Sequence, residues 1–123
     1  MVFREYIMTD GSLVELFAAE LKLCEVGTGQ SVAVLSEGNL LREYAEASMS
    51  AASELGAEII DVNLPVSRPA SVGERIADLG RSSLAQFPDS LRRCSEADMV
   101  IDHTLLLFSA EQQIIQKAGA RIL

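Results

Sequence analysis

The stretch "SVAVLSEGNLLREYAEASMSAASELGAEIIDVNLP", residues 31–65, has the pattern of a strand, a helix and a second strand. Ser31 to Ser36 is short and apolar, carries two β-branched valines and runs into a turn, as a buried strand does. Leu40 to Leu55 carries apolar or small side chains at helical spacing, and Gly56 follows where a left-handed residue commonly ends a helix. Residues 57–65 form the second strand, which ends at a proline because proline cannot donate to a ladder.

The sequence on both sides continues this alternation. A helix is predicted from Asp10, with Asp10 or Ser12 as its cap. The other predicted elements are a short helix over Val72–Leu79, a helix over Asp89–Glu96, a strand over residues 98–103, a helix capped by Ser109 and a last strand over residues 120–123. Alternation with near-continuous apolar strands predicts an α/β fold: a Rossmann-like, three-layer parallel sheet with helices on both faces, in one domain over residues 1–123.

In such a fold, functional groups lie where the strands end. Right-handed crossovers bring the carboxyl ends of parallel strands to one edge of the sheet. The segments predicted at that edge are Ser36–Asn39, Asn63–Arg68 and Asp102–Ser109. The stretch Val66–Arg81 is interrupted by a proline and two glycines, and we predict that it is a mobile or functional loop.

Composition excludes several classes of function. The net charge of −8, the 5% aromatic content and the lack of tryptophan all oppose binding to nucleic acid. Cys24 and Cys94 lie far apart without metal or redox spacing, so we expect two buried free thiols, with a disulfide as the less supported alternative. No signal peptide and no apolar run of about 20 residues is present, which predicts a cytoplasmic protein without membrane contact.

The end of the sequence predicts a longer parent. The residues "ARIL", 120–123, begin a core strand, and a strand covered on both faces collects roughly 1.5–3 kcal/mol for each large apolar side chain that it buries. We therefore expect this chain to be an incomplete N-terminal domain whose partner is the missing C-terminal domain. An exposed sheet edge beside residues 120–123 also predicts a homo-oligomer.

Common ligand motifs of α/β proteins are absent. The first strand-to-helix turn has one glycine and carries Glu37, which would repel a pyrophosphate, so nucleotide binding is disfavoured. A phospho-receiver site is also disfavoured, because Asp61 lies inside a predicted strand and Lys117 in a helix. Three serines are considered as nucleophiles, and none lies in a nucleophile-elbow motif; they are Ser36, Ser67 and Ser109.

Asp102-His103 is the pair of residues best suited to catalysis or metal binding. His103 is the single histidine and lies at or just past the end of a strand, where a general base or a metal ligand would be placed. The alternative is structural: a histidine satisfied by hydrogen bonds, with Asp102 capping a turn. We predict no complete metal site in this chain, because no second histidine and no nearby cysteine is available. Asp61 and Asp98 are expected to be strand-edge carboxylates.

Two long segments carry a family resemblance. They are "ELKLCEVGTGQSVAVLSEGNLLREYAEASMSAASELGAEIIDVNLP", residues 20–65, and "ADMVIDHTLLLFSAEQQIIQKAGARIL", residues 97–123. Together they resemble the N-terminal region of 2,5-dihydroxypyridine 5,6-dioxygenases and related proteins of the aminopeptidase T-like group. The positions "LKLC", "SVAVL", "S-x-E-Q" and "GARIL" carry most of the likeness.

The resemblance implies an N-terminal α/β domain in front of a larger C-terminal part that holds the metal ligands. It implies Fe(II)-dependent, oxygen-using cleavage of a hydroxylated pyridine or similar aromatic ring by the parent, with no iron bound to this chain. On this hypothesis the chain contributes pocket wall and assembly surface, and no catalytic residue is assigned within it. Two alternatives stay open: the N-terminal domain of a metallo-aminopeptidase, and a non-catalytic, stand-alone Rossmann-like binding module.

One position departs from the family pattern. The residue matching Phe108 in "LLLFS" is a histidine near the substrate in the dihydroxypyridine enzymes, and phenylalanine cannot transfer protons. His103 lies five residues earlier, so on a continuous strand it would point away from Phe108 and could not simply replace that histidine. Phe108 could instead pack against an aromatic ring. The substrate-pocket candidates are therefore His103, Phe108 and Asp102.

Overall fold

A computed structural model describes residues 10–66 and 71–123. The elements in chain order are α1 (Asp10–Leu23), β1 (Ser31–Glu37), α2 (Arg42–Glu54), β2 (Glu58–Leu64), α3 (Val72–Ala77), a 3-10 turn (Ser83–Gln86), α4 (Pro88–Glu96), β3 (Met99–Asp102), α5 (Ala110–Lys117) and β4 (Arg121–Ile122). Within the described residues they form a four-stranded sheet in the order β2-β1-β3-β4, in which each neighbouring pair is parallel. The predicted α/β fold is confirmed.

Alternation along β1 divides the core into two layers. Val32 and Val34 are fully buried in one cluster, which also holds residues of α1 and α2. Ala33 and Leu35 are fully buried in the other cluster, with residues of α4 and α5. Successive side chains of a strand point to opposite faces, so this central strand needs helices on both sides. The predicted three-layer arrangement is therefore confirmed.

Helix bounds differ from the sequence predictions at three places. Asp10 and Ser12, the two residues predicted as alternative caps of α1, both lie within that helix. Helix α3 ends at Ala77, two residues before its predicted end. Helix α2 begins at Arg42, two residues later than predicted, because Leu40 donates a backbone hydrogen bond to Glu37 and Leu41 adopts a left-handed φ of 54°. A leucine in this conformation costs roughly 1–2 kcal/mol, which the surrounding turn has to offset.

Gly56 is confirmed as the left-handed residue after α2, with a φ of 86°. A Cβ at this position would lie 2.5 Å from the Thr28 hydroxyl, so the site requires glycine on grounds of space as well as conformation.

Candidate functional site at the carboxyl edge of the sheet

The carboxyl ends of β1, β2 and β3 lie at one edge, as the parallel topology requires. These strands end at Glu37, Leu64 and Asp102. The register pairs Glu37 with Leu64, and Leu35 with Asp102. The predicted edge segments around residues 36–39, 63–66 and 102–109 therefore meet here, whereas residues 67–70 lie outside the described residues.

Asp102 holds the turn that follows β3. Its Oδ1 accepts hydrogen bonds from the backbone N–H and the hydroxyl of Thr104, both at 2.7 Å. Its Oδ2 accepts from the Leu106 N–H, also at 2.7 Å. Both carboxylate oxygens are therefore used to shape the chain, which favours the structural alternative for this residue.

The segment after Asp102 is an irregular loop. Leu105 and Phe108 have left-handed φ values of 63° and 66°. His103 and Phe108 therefore do not lie on one continuous strand, and the argument about their relative directions, which assumed such a strand, does not apply. Left-handed backbone in residues with a Cβ is strained, and such strain is concentrated at functional sites.

His103 is held by three contacts at the end of β3. Its N–H donates to the Leu35 carbonyl at 2.9 Å, which extends the ladder by one residue. Its Nε2 lies 3.2 Å from the Ser48 Oγ. Its ring meets the ring of Phe17 edge to face, with 5.9 Å between centroids. His103 thus contacts α1 through Phe17 and α2 through Ser48.

The tautomer of His103 follows from the hydrogen bonds of Ser48. The Ser48 hydroxyl donates to the Ala45 carbonyl at 2.9 Å, which leaves its oxygen as an acceptor, and on this basis we assign the proton of a neutral His103 to Nε2. The neutral ring therefore carries its lone pair on Nδ1, for which no partner occurs among residues 10–66 and 71–123. Burial lowers the pKa of His103, and the nearby Asp102 carboxylate opposes this only in part. The ring is neutral near pH 7 and can accept one hydrogen bond.

A cleft of about 420 Å³ adjoins this histidine on the α1–α2 face. It is lined by Phe17, Glu20, Leu41, Tyr44, Ile101, Asp102, His103 and Leu123. Two of the three sequence-predicted pocket residues, Asp102 and His103, are brought together here. Phe108 is not among the described residues that line this cleft.

Phe108 projects from the loop at the edge of the sheet. Its residue surface is 72% exposed, and its backbone N–H donates to the side-chain carbonyl of Gln112 at 2.8 Å. Ser109, next in the chain, accepts from the Gln112 N–H and donates to the Leu106 carbonyl. Ser109 is thus confirmed as the cap of α5, and its hydroxyl has no role left as a nucleophile. The cap fixes Phe108 in an outward position.

A buried ion pair at the end of β1 was missed by the sequence analysis. Arg75 donates from Nη1 and Nη2 to the two carboxylate oxygens of Glu37, at 2.9 and 2.5 Å. The side chains are 2% and 0% exposed. The pair joins α3 to the sheet across 38 residues of sequence. The one indication of a buried ion pair in the sequence is Glu37, an acidic residue directly after a predicted buried strand. In the sequence analysis, Glu37 was considered only as a group that would repel a pyrophosphate.

Comparisons with known proteins agree with the resemblance. The family model for 2,5-dihydroxypyridine 5,6-dioxygenase matches residues 12–123. The chain belongs to this family. Among its relatives is the 2,5-dihydroxypyridine 5,6-dioxygenase of Pseudomonas putida, which is 36% identical over 118 residues. The solved structure of 2,5-dihydroxypyridine dioxygenase from P. putida KT2440 is similar too, with 34% identity and a TM-score of 0.81 over 94% of this chain.

The match covers only part of the dioxygenase chains. This sequence spans about a third of the P. putida protein, 34% of its length, and the matched part is the N-terminal region.

A polar network beside the ion pair orders the edge between β1 and β2 of this dioxygenase family member. Arg42 donates to both carboxylate oxygens of Asp61, at 3.1 and 2.8 Å, and to the Ser36 hydroxyl at 3.0 Å. The Asn63 amide donates to the same hydroxyl at 2.8 Å and to the Gly38 carbonyl at 3.1 Å. The hydrogen bonds to Asp61 raise the pKa of Arg42, while burial opposes the rise. The groups of this network form hydrogen bonds with one another, so we assign the network a structural role.

The remaining predicted residues have structural surroundings. Asp98 accepts from the Ser31 N–H at 2.8 Å and so joins the amino ends of β1 and β3. Both cysteines are free, Cys94 buried and Cys24 half-buried. Burial raises the pKa of Cys94 to about 12, so its thiol is unreactive at neutral pH. Ser67 lies outside the described residues. None of the described helices is long and apolar enough to cross a membrane.

Proposed function

We propose that this chain is the N-terminal domain of a ring-cleavage dioxygenase that acts on a hydroxylated pyridine or a related aromatic. The family match over residues 12–123, together with a similar dioxygenase structure at a TM-score of 0.81, supports this proposal. In the complete protein the domain would supply pocket wall and assembly surface. The expected cytoplasmic location and homo-oligomer belong to the same proposal.

Fe(II) does not fit the residues that the structure describes. In residues 10–66 and 71–123, no group of three or more His, Cys, Asp or Glu side chains could hold a metal ion. Asp102 uses both oxygens in its turn, and His103 uses Nε2 for Ser48. A non-haem iron site needs two histidines and a carboxylate with open positions. We therefore propose that iron ligands of the parent lie in the polypeptide beyond the matched third.

Phe108 is the residue of this chain that we assign to the substrate. It is exposed at the carboxyl edge, its backbone conformation is strained, and the cap of α5 and Gln112 hold its position. An aromatic ring packed against another contributes about 0.5–1.5 kcal/mol beyond area burial. Asp102 would act as a positioning residue, since its three hydrogen bonds build the loop that carries Phe108.

His103 has a different place in the proposal. Its lowered pKa and its free lone pair on Nδ1 suit a hydrogen-bond acceptor for a hydroxyl group in the adjoining cleft. It does not stand in for the family histidine at the position of Phe108, because it faces the α1–α2 cleft and Phe108 does not line that cleft. A proton acceptor for the ring would then come from elsewhere in the parent.

The test uses the complete protein that carries these residues, loaded with Fe(II) without oxygen and then mixed with oxygen and 2,5-dihydroxypyridine. We expect loss of the aromatic absorbance with one oxygen molecule consumed for each ring cleaved. Phe108→Ala should raise KM by roughly two- to tenfold, the equivalent of the lost ring packing. Leu23→Ala, at an exposed position 85% accessible near the amino ends of the strands, is the matched control and should leave KM unchanged.

Three outcomes would contradict parts of this proposal. No oxygen uptake with dihydroxylated pyridines or benzenes would overturn the ring-cleavage function. Metal-dependent hydrolysis of peptides instead would establish the aminopeptidase alternative. An unchanged KM in Phe108→Ala, with normal turnover, would remove Phe108 from the substrate pocket and leave the function standing.

A further inference from the structure

Helix α3 is amphipathic in the reverse of the usual sense. Val72 and Ile76, four residues apart on α3, are 37% and 56% exposed, and Leu79, in the turn that follows the helix, is 38% exposed. Arg75, between them in sequence, is only 2% exposed. A surface helix ordinarily turns its apolar side to the core and its charged side to solvent. We refer to the exposed side chains of Val72, Ile76 and Leu79 as the α3 patch.

The ion pair prevents α3 from burying this patch within the domain. Turning the helix about its axis would pull Arg75 from Glu37, to which it donates two hydrogen bonds in the interior of the domain. Breaking a buried pair costs about 3–5 kcal/mol, which opposes such a turn. The α3 patch is therefore held outward by the structure itself.

The α3 patch continues towards the loop that carries Phe108. Gly80 lies against this loop, since a Cβ built on it would be 3.7 Å from the Phe108 carbonyl oxygen. Leu107 and Phe108 are 45% and 72% exposed. Exposed apolar side chains grouped in one region often mark a contact with another part of a protein.

We propose that the α3 patch is the docking surface for the polypeptide that follows the matched region in full-length members of this family. This inference rests on the proposed role of the chain as an N-terminal domain. About two thirds of the P. putida relative lies outside the matched region. That polypeptide is large enough to cover the patch.

The position of the last strand supports the same occupant. Leu123 extends β4, donating to the Val100 carbonyl at 2.8 Å and accepting from the Asp102 N–H at 3.1 Å. All neighbouring strands are parallel, so Leu123 lies at the same edge as Glu37, the last residue of β1, to which Arg75 of α3 is bound. We expect the polypeptide that follows the matched region in full-length relatives to begin at this edge.

Site-specific thiol labelling of the complete protein tests the inference. Ile76→Cys and Leu16→Cys are compared under native conditions; Leu16 is 46% exposed on α1, so it is slightly less accessible than Ile76 within this domain. We expect maleimide to modify Ile76→Cys at least about tenfold more slowly, because the docked polypeptide must open first. Peptide mapping of the unsubstituted protein gives the background from Cys24 and Cys94.

The outcomes separate this inference from the proposed function. Ile76→Cys reacting as fast as Leu16→Cys would overturn the docking surface, whether or not the protein cleaves the ring. Protection of Ile76→Cys without ring cleavage would uphold the surface and overturn the function. Protection that disappears on dilution, as the protein becomes monomeric, would identify a second copy as the occupant and overturn the inference. A reading frame that stops at Leu123 would overturn it as well.

Discussion

Helices α2 and α3 follow neighbouring strands, yet opposite kinds of contact hold them to the sheet. Helix α2 buries small side chains: Ala45, Ala47, Ser48, Ala51 and Ala52. Of the six residues of α3, all described by the structure, Arg75 alone is buried. The first helix is fixed by many weak apolar contacts, whereas the buried side chain of the second is the charged Arg75, which forms a bidentate ion pair with Glu37. This difference shows that a helix with no apolar side facing the core can still have a defined position.

The largest effect should come from breaking the ion pair that holds α3. Glu37→Gln leaves the buried Arg75 charge without its carboxylate, and we expect a loss of about 3–5 kcal/mol in the free energy of unfolding, measured by urea denaturation. The matched control is Arg92→Gln, which breaks an exposed pair with Glu96 and should cost no more than about 0.5 kcal/mol.

A double substitution sharpens this test. Glu37→Leu with Arg75→Met removes both charges, so it should cost less than Glu37→Gln alone. If the single and double variants lose equal stability, burial of an unpaired charge is not the cause. A loss in Glu37→Gln no larger than that in Arg92→Gln would show that α3 is held by something other than the ion pair.

A medium effect is expected from overfilling the packed side of α2. Ala52 is fully buried, so Ala52→Leu should lower the free energy of unfolding by about 1–3 kcal/mol. The same substitution on α3, Ala77→Leu, adds a side chain at an exposed position and should change stability by no more than about 0.5 kcal/mol. Equal losses in the two variants would contradict the contrast between the helices.

The smallest effect concerns pH and the polar anchor of α2, the contact between Ser48 and His103. Because burial lowers the pKa of His103 in the folded state, the unfolded chain binds this proton first as the pH falls. Stability should therefore be constant above the ordinary histidine pKa of about 6.5 and should decrease below it, down to the folded-state pKa. The measurement is the free energy of unfolding between pH 5 and 8.

The control for this prediction is His103→Gln, which removes the chain's single histidine. The difference between the two pH curves isolates the imidazole from the many carboxylates, which titrate lower. Coincident curves, or a parent protein that gains stability relative to the variant as the pH falls, would contradict a buried neutral His103.

Local patterns predicted the strands, the two-sided packing of β1, the cap at Ser109 and the left-handed Gly56. Each depends on residues close in sequence. Runs of β-branched residues predict strands, a serine three residues before a glutamine at the start of a helix predicts the cap, and a glycine after a helix predicts the left-handed residue. The resemblance to the dihydroxypyridine dioxygenases was likewise carried by short segments of sequence. These features could therefore be predicted from the sequence alone.

The candidate site was only partly predictable. Asp102 and His103 were correctly selected as residues at the end of a strand, but their partners, Thr104, Leu106 and Ser48, depend on how the following loop turns and on where α2 packs. The left-handed conformations of Leu105 and Phe108 gave no indication in the sequence, because either residue ordinarily avoids that region.

The sequence by itself determined the order of the elements and the layers of the sheet, because burial follows the periodic placement of apolar side chains. Tertiary structure alone decided that Arg75 is buried, that the α3 patch faces outward and that Phe108 projects from the edge. The physical reason is distance along the chain: Glu37 and Arg75 are 38 residues apart, and a charge can be buried only where the fold brings its counter-charge.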